Sequence, residues 1–572
     1  MSMENSQIAD VFEEIADLLD LQDANSFRIR SYRRAAQSIR NLSDRLEDKA
    51  AEEKDFSAIP DVGESSAKKI HEMLEKGTCK RLEELRKKVP SGLPELMHIP
   101  KLGPQKAKQL NKELGIKNVK QLQDACEQHK VRELDGMGAK TEENILDGIK
   151  TIKKTEGRLL YAEADEQLQT LADYLNGLQE LKQWEVAGSF RRGKETIGDL
   201  DILVQAQDRS KAVKKLLEYS SIADIIGKGK EKVSVRLSGG LQVDFRFFDS
   251  GSFGAALMYF TGSKAHNIKL RKMAQQNDWK LNEYGLSKDK KRLAGKTEQA
   301  VYKRFGMVWI PPELRENRGE LEAAQKKNGI PKLVEQDELR GDLHCHTKAS
   351  DGRETIKAMA EAAQAYGYDY LAITDHSKRV RMANGLDDEA MKKHADAIRK
   401  VDEDLSRFWL LAGVECDILK SGKLDLKEKT LEPLDWVVAS VHYDRAMSRK
   451  AMTDRLIKAI SSGVVHCIGH PTGRMIGKRD ELPIDFDRLF SACVEHDVYI
   501  EINAQPERQD LPDVYCREAA EHGVKFAIST DAHSSESFPA MAMGVNVARR
   551  GWLRKRDIIN TKTLSALRKE LQ

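Results

Sequence analysis

Nine potential metal ligands lie between residues 344 and 533, nearly all at the ends of short apolar runs. They are His344, His346, Asp351, His376, Glu415, His442, His470, Asp531 and His533. Of the chain's 14 histidines, ten follow residue 340 and six of those belong to this set. Few folds can bring ligands so far apart in sequence to one point. Parallel strands closed into a barrel can, because their C-terminal ends open on a common mouth. The spacing predicts strands at 370–374, 411–415, 436–441, 465–469, 498–502 and 526–530, with helical stretches between them, the rhythm of a β/α barrel. Mixed imidazole and carboxylate ligands with no thiolate suit Mn2+ or Zn2+, and nine are more than one ion needs. His394, His466, His496 and His522 fall outside the pattern and are expected to be ordinary helix or core histidines.

A second metal signature lies upstream. Segments 184–187, 200–204 and 241–247 read as strands. A strand places residues i and i+2 on one face, so Asp199 and Asp201 point the same way. Asp244, on the polar face of another strand, completes a carboxylate trio suited to two Mg2+ or Mn2+ ions about 4 Å apart and in-line phosphoryl transfer. Gly188-Ser189 supplies a tight turn with donors for a triphosphate, and Arg192 adds a charge-assisted contact. An isolated Asp-x-Asp is common at strand edges. Set in GSFRRGKETIGDLDIL, with Gly198 just before the carboxylates, it is far more specific.

In front of both lies a region of short helices and glycine turns. Five arginines fall between residues 28 and 40, alternating with Phe27, Ile29 and Tyr32, so that one helix could pack those three inward and present guanidiniums outward. Three segments then repeat one pattern: Ile59-Pro60-Asp61-Val62-Gly63, Ile99-Pro100-Lys101-Leu102-Gly103 and Leu134-Asp135-Gly136-Met137-Gly138, each leading into an amphipathic helix. They resemble helix-hairpin-helix motifs, in which backbone N–H groups at the hairpin face a phosphate. Gly63, Gly103 and Gly138 are the candidate positions for DNA-backbone contact.

Composition limits the alternatives. The 572 residues exceed one core and predict three or four domains. Charged residues make up 33% and apolar ones 40%, and no stretch reads as a bilayer span or a signal peptide. Seven cysteines without paired spacing fit a reducing, cytoplasmic setting. The net charge of +3 means that any nucleic-acid surface must be local. Residues 313–337 are polar and charge-rich, and read as a linker.

Residues 1–318 resemble a family X DNA polymerase, the repair class that includes polymerase beta. Tyr259-Phe260-Thr261-Gly262-Ser263, followed by Asn267 and Arg271, matches that family's nucleotide-binding element. The resemblance implies that Tyr259 to Gly262 line the sugar, Asn267 touches the incoming base and Arg271 the template side. It also implies a lyase lysine at Lys69 and a 5′-phosphate pocket at Arg28 and Tyr32, although Ser65 stands where a further pocket lysine is expected. Residues 338–572 resemble the PHP (polymerase and histidinol phosphatase) domain, through Asp342-Leu343-His344-Cys345-His346, Thr374-Asp375-His376, Gly413-Val414-Glu415, Ser440-Val441-His442, Gly469-His470-Pro471 and Thr530-Asp531-Ala532-His533.

The whole chain is thus similar to bacterial family X polymerases carrying that domain. The organisation implied is a helix-hairpin-helix domain (1–88), a fingers-like helix-hairpin-helix region (89–154), an α+β nucleotidyltransferase palm (155–250), a thumb-like subdomain (251–318), a linker (319–337) and a distorted β/α barrel (338–572). The activities implied are gap filling in base excision repair on gapped or primer-template DNA with dNTPs, 3′→5′ exonuclease action with up to three Mn or Zn ions, and abasic-site incision. Two alternatives are a barrel acting as a small-molecule phosphatase and one serving only as scaffold. No segment identifies a protein partner.

Overall fold

The computed structural model describes residues 3, 5–22, 24–40, 46, 55–59, 61–90, 92–97, 99, 102–155, 158–289 and 291–571. Pro60, Pro100 and Lys101 of the expected hairpins lie outside them, as do Met1, Ser2 and Glu4. The N-terminal region is built on α1 (Asn5–Leu21) and α2 (Ser26–Arg40). Phe12, Ile15 and Leu19 pack against Ile29, Tyr32 and Ala36 in one core, and the Phe12 and Tyr32 rings lie 5.8 Å apart. Phe27 departs from the expected inward face. It is 74% exposed, with the Arg30 guanidinium 4.7 Å from its ring, because two residues before Ile29 it points to the opposite side of α2 from the Ile29, Tyr32 and Ala36 face.

The three hairpins repeat in atomic detail. Val62 N–H donates to Ile59, Leu102 N–H to Ile99 and Met137 N–H to Leu134, each at 3.0 Å. Helices α3 (Glu64–Lys76), α4 (Pro104–Leu114) and α5 (Ala139–Thr155) start directly after Gly63, Gly103 and Gly138. A Cβ at any of these glycines would meet nothing within 4 Å, and Gly63 and Gly103 have ordinary φ values of −78° and −79°. Neither packing nor backbone conformation inside the chain requires glycine there.

The palm sheet holds β1 (Leu181–Val186), β2 (Asp199–Ala206), β3 (Ile222–Lys228), β4 (Lys232–Leu237) and β5 (Gln242–Phe247), in spatial order β1-β2-β5-β4-β3. Only β2 and β5 run parallel, in a register that sets Asp201 beside Asp244 and Asp199 beside Gln242. Leu200, Ile202, Val204, Val243 and Phe245 pack into the core, which leaves Asp199 and Asp201 on the open face of β2. Helices α6 (Gly188–Arg191), α7 (Phe253–Thr261) and α8 (Lys264–Gln276) frame that face.

Residues 319–337, expected as a linker, are packed rather than loose. Leu321, Ala324, Leu333 and Val334 are buried, and Glu320 lies at zero exposure, accepting from the Asn317 and Arg318 N–H groups and contacting His266 Nδ1 at 2.6 Å. Most of the charged residues that suggested solvent are indeed exposed, but Glu320 is paired inward and the apolar residues between them anchor the segment.

Seven parallel strands follow in sequence order: β6 (Gly341–Cys345), β7 (Tyr370–Ile373), β8 (Trp409–Asp417), β9 (Trp436–Ser440), β10 (Cys467–Ile468), β11 (Tyr499–Asn503) and β12 (Phe526–Ser529). A bridge from Cys345 to Ala532, with His346 N–H donating to Ala532 at 2.8 Å, draws the last strand to the first in a nearly closed barrel. Leu371, Ile373, Leu410, Ala412, Val437 and Ile500 pack against helix residues Met359, Met391 and Leu456. The alternate residues Tyr370, Ala372, Leu411, Trp436 and Val438 form a second cluster, which the pleat assigns to the barrel interior.

Candidate functional site

At the C-terminal mouth of the barrel, all nine expected ligands converge, with Glu415 at the centre. Its Oε1 lies 2.9 Å from His470 Nε2 and 3.2 Å from His442 Nε2; its Oε2 lies 2.8 Å from His376 Nδ1, 3.6 Å from His344 Nε2 and 3.7 Å from His346 Nε2. On one side, Asp531 Oδ1 sits 3.1 Å from His346 Nε2. On the other, Asp351 Oδ2 approaches His533 Nε2 at 3.4 Å and His376 Nε2 at 3.5 Å. His470 and Asp531 hold φ values of +27° and +51°, so two ligands are presented from backbone strained for side chains of their kind.

The donor set fits divalent ions. Among the described residues, three groups have ligand atoms all within 4.8 Å of one another: His346, Asp351, His376 and His533; His344, His346 and Asp531; and His376, Glu415 and His442. Four buried nitrogens, His344 Nε2, His346 Nδ1, His376 Nδ1 and His470 Nδ1, have no hydrogen-bond partner. His376 Nδ1 lies at bonding distance from Glu415 but off the line of a hydrogen bond. Each unpaired buried polar atom costs about 1–3 kcal/mol, which a bound cation would recover.

Charge makes the same point. Burial opposes a cationic His376, yet Glu415 and Asp351 override it and raise the pKa to about 10. His346, buried beside His533 and His376, falls to about 4. Burial would push Glu415 up, but the surrounding imidazoles hold it well below the usual carboxylate range.

Several supports were not anticipated. Glu501, on β11, accepts from the His344 ring at 2.7 Å and from His470 N–H at 2.5 Å. Asp417 lies 3.2 Å from His442 Nδ1. Asp375 accepts from Thr347, from Ser350 and, at 2.8 Å, from His394 Nε2, so His394 buttresses the motif rather than merely filling a helix. The available signal was a run of carboxylates inside apolar strands, which must be paired to be buried. Arg508 Nε, buried without a hydrogen-bond partner, lies 4.0 Å from Asp531. Cys345, between two ligands, turns away: its Sγ donates to Ala372 O at 3.1 Å, and burial holds its thiol well above the ordinary pKa.

The palm site is organised differently. Gly188, Ser189, Arg192, Asp199, Asp201, Tyr259, Phe260, Gly262, Asn267 and Arg271 line one open cleft of about 540 Å3, together with the unanticipated Arg158, Lys194 and Lys264. Gly188 has φ +66°, and an added Cβ would stand 3.3 Å from Asp201 Oδ2, so this turn has no room for a side chain. Gly198 adjoins Arg158.

The carboxylate trio is not drawn together as the barrel ligands are. Arg246 Nε donates to Asp201 Oδ1 at 2.8 Å, its Nη2 approaches Asp244 at 3.3 Å, and its guanidinium lies 4.2 Å from the Phe260 ring centre. Asp244 also pairs with Lys232 at 2.7 Å. Burial raises the Asp201 pKa despite Arg246. Burial would raise Asp244 too, but bonds from Lys232, Ser234 and Gln242 lower it. Thr261 is fully buried and accepts from Arg191 at 2.7 Å, so it braces the pocket from behind. Asn267 donates to the Tyr259 carbonyl at 2.6 Å.

In the N-terminal region, Arg28 is exposed and Tyr32 is buried, with Lys69 Nζ 5.7 Å from its ring. Lys69 donates to the Ser65 carbonyl at 2.7 Å and hydroxyl at 2.8 Å. The residue standing in place of a pocket lysine therefore holds the candidate amine.

Family profiles match in chain order: a helix-hairpin-helix domain at residues 3–79, a SAM-like helix-hairpin-helix tandem at 93–151, a DNA polymerase beta palm at 158–235, a DNA polymerase beta thumb at 256–316 and a PHP domain at 342–505. The last ends short of Asp531 and His533, which the fold returns to the cluster. The chain is 36% identical over 566 residues to the DNA polymerase/3′-5′ exonuclease PolX of Bacillus subtilis (strain 168), covering 98% of each. A probable phosphatase of Acetivibrio thermocellus is 30% identical over 204 residues, 34% of this chain and 79% of that protein. A probable phosphatase of Aliivibrio fischeri (strain ATCC 700601 / ES114) is 29% identical over 233 residues, 39% of this chain and 89% of that protein. With polymerase beta palm and thumb, tandem helix-hairpin-helix elements and a PHP barrel in one polypeptide aligned end to end with such a relative, the chain belongs to the PolX family of DNA polymerase/3′-5′ exonucleases.

Proposed function

We propose that this chain extends primer 3′ ends with dNTPs in the palm cleft and shortens 3′ ends by hydrolysis at the barrel mouth, filling short gaps during cytoplasmic DNA repair. The observation that carries the reading is that one chain holds two separate ligand constellations of different chemistry. One is an open cleft lined by Asp199 and Asp201 beside Arg192, Asn267 and Arg271, with Asp244 buried next to Asp201, and the other a largely buried cluster of six imidazoles and three carboxylates. Among the described residues no helix is long and apolar enough to cross a membrane.

In the palm, Asp199, Asp201 and Asp244 would hold two Mg2+ or Mn2+ ions, and in the barrel the nine ligands would hold up to three Mn2+ or Zn2+ ions. When bound, such ions supply Lewis acidity that lowers the pKa of an attacking oxygen and offsets charge on phosphate. Ser189 and Arg192 orient the triphosphate, Tyr259, Phe260 and Gly262 close against the sugar with Thr261 bracing them from behind, and Asn267 and Arg271 meet the base and template. Arg246 offsets part of the cost of burying Asp201. At the barrel mouth, Glu501 and Asp417 fix ring orientations of His344 and His442, and Arg508 offers a guanidinium to a phosphodiester beside Asp531. Gly63, Gly103 and Gly138 expose bare backbone to DNA phosphates, and Arg28 takes a 5′-phosphate.

A 5′-labelled primer in gapped DNA with Mn2+, with and without dNTPs, tests this. Asp201→Ala should abolish extension alone, and His344→Ala shortening alone. If shortening survives His344→Ala and the other ligand substitutions, the nuclease assignment is wrong. Abasic-site incision by the barrel extends the same reading. Schiff-base chemistry at Lys69 is a separate extension, tested by borohydride trapping on an abasic substrate with Lys69→Ala as control. The probable phosphatases similar to the barrel favour a second reading, in which small phosphate esters are its substrates. Hydrolysis of 4-nitrophenyl phosphate as fast as DNA shortening would support that reading over the first.

A further inference from the structure

The palm and the barrel share an ion-pair network behind the nucleotide pocket. Helix α9 (Met541–Arg550) packs Gly544 against Ile528 and Ala504 of the barrel and turns its other side to the palm turn after α6. Gly193, at φ +61°, faces Asn546 so closely that an added Cβ would lie 3.3 Å from the asparagine Cβ. At the end of α9, Arg550 is 4% exposed. Its Nη1 donates to the Arg192 carbonyl at 2.8 Å and approaches Glu316 Oε1 at 3.2 Å, while its Nη2 donates to Asp513 at 2.8 Å. Glu316 Oε1 also accepts from Arg192 Nε at 3.0 Å, and Arg192 Nη1 donates to the Thr261 carbonyl at 2.5 Å. Arg474 to Glu195 of the palm at 2.5 Å and Arg549 to Glu313 of the thumb at 2.7 Å fasten the barrel on either side.

The arrangement matters for Arg192 in two ways. Its carbonyl is tied to the barrel, which sets where the side chain starts. Its carboxylate partner, Glu316, is shared with a second guanidinium. Without Arg550, Glu316 would be shared only between Arg192 and Lys194 and would hold Arg192 more tightly, drawing its charge away from the cleft. We propose that Arg550, a barrel residue, is a positioning residue for the polymerase, holding Arg192 toward the triphosphate, so that the nucleotide pocket is complete only with the PHP domain docked. This inference rests on reading Arg192 as a triphosphate ligand.

Single-nucleotide incorporation on gapped DNA by the full-length protein tests it, with exonuclease activity measured on the same preparations. Arg550→Ala should raise KM for dNTP about tenfold, as expected for losing charge-assisted hydrogen bonds, with kcat and shortening changed less than about twofold. Arg550→Lys, which keeps the charge beside Glu316 and most of the volume, should recover part of the loss. Arg192→Ala should raise KM at least as far, and the double variant should be no worse than Arg192→Ala alone. An unchanged KM in an Arg550 variant with intact exonuclease overturns the proposal. So do strictly additive losses in the double variant. Parallel loss of both activities in the Ala and Lys variants also overturns it, because Arg550 would then be only a structural residue of the barrel. An unchanged KM in Arg192→Ala overturns the triphosphate reading itself, and this inference with it.

Discussion

The palm and the barrel solve one problem, the gathering of negative charge, in opposite ways. In the palm, Arg246 and Lys232 already neutralise Asp201 and Asp244, and the third carboxylate, Asp199, stands exposed. In the barrel, Glu415 and Asp531 are buried among imidazoles, several with unpartnered nitrogens. A site balanced by its own guanidinium and ammonium groups persists without metal and can take ions along with a triphosphate, which is how Mg2+ commonly enters such sites. A site of convergent imidazoles leaves buried nitrogens unpartnered until ions bind.

Chelation probes this contrast with the largest effect. Treatment with EDTA followed by desalting should abolish both activities. Mg2+ should then restore extension within the mixing time, whereas shortening should need Mn2+ or Zn2+ and return more slowly. Equal speed of return would break the distinction. Next in size, Glu415→Gln removes the central anion and should lower shortening on the order of 10^4-fold while leaving extension within about twofold. Glu501→Gln sharpens the comparison further. It keeps every ligand but loosens His344, and should lower metal affinity or shortening about 10- to 100-fold.

The smallest effect concerns a carboxylate that needs no metal. Glu298 is buried between Arg315 and Arg191, bonded at 2.6 and 2.7 Å. Burial alone would raise its pKa, but the two guanidiniums bring it down to about 2 from 4.5. The difference contributes roughly 3 kcal/mol to thumb stability. Because the folded value is the lower one, that contribution is complete above about pH 4.5 and is lost as pH falls toward 2. Acid unfolding followed by tryptophan fluorescence should show it, since Trp309 donates to the same carboxylate at 2.9 Å. Glu298→Gln should remove that pH window.

How much could be read in advance depended on where each residue's partners lie. The strands 370–374 and 436–441 were legible because a buried parallel strand is a continuous apolar run. β3 was not, because Ile222–Lys228 is an almost wholly exposed edge strand of mixed polarity. The nine candidate ligands, which the fold gathers at one mouth, could be picked out by residue type and spacing. Glu501 could not, because its role depends on the 2.7 Å approach to His344 from a strand 157 residues away. The same reason hid Arg246: only the parallel register of β2 and β5 places it between two aspartates. The linker reading failed at Glu320 because charge density alone does not distinguish a solvated segment from one whose carboxylates are paired inside.

The direction taken by Cys345 has a consequence for how durable the nuclease is. None of the seven cysteines takes part in the metal-ligand groups found among the described residues, all seven are buried, and the one flanked by ligands points into the helix-facing core. Peroxide attacks thiolates, and a cluster without one offers it no sulfur to oxidise. Imidazole and carboxylate ligands should therefore keep their metals through exposure to peroxide that would strip a thiolate site.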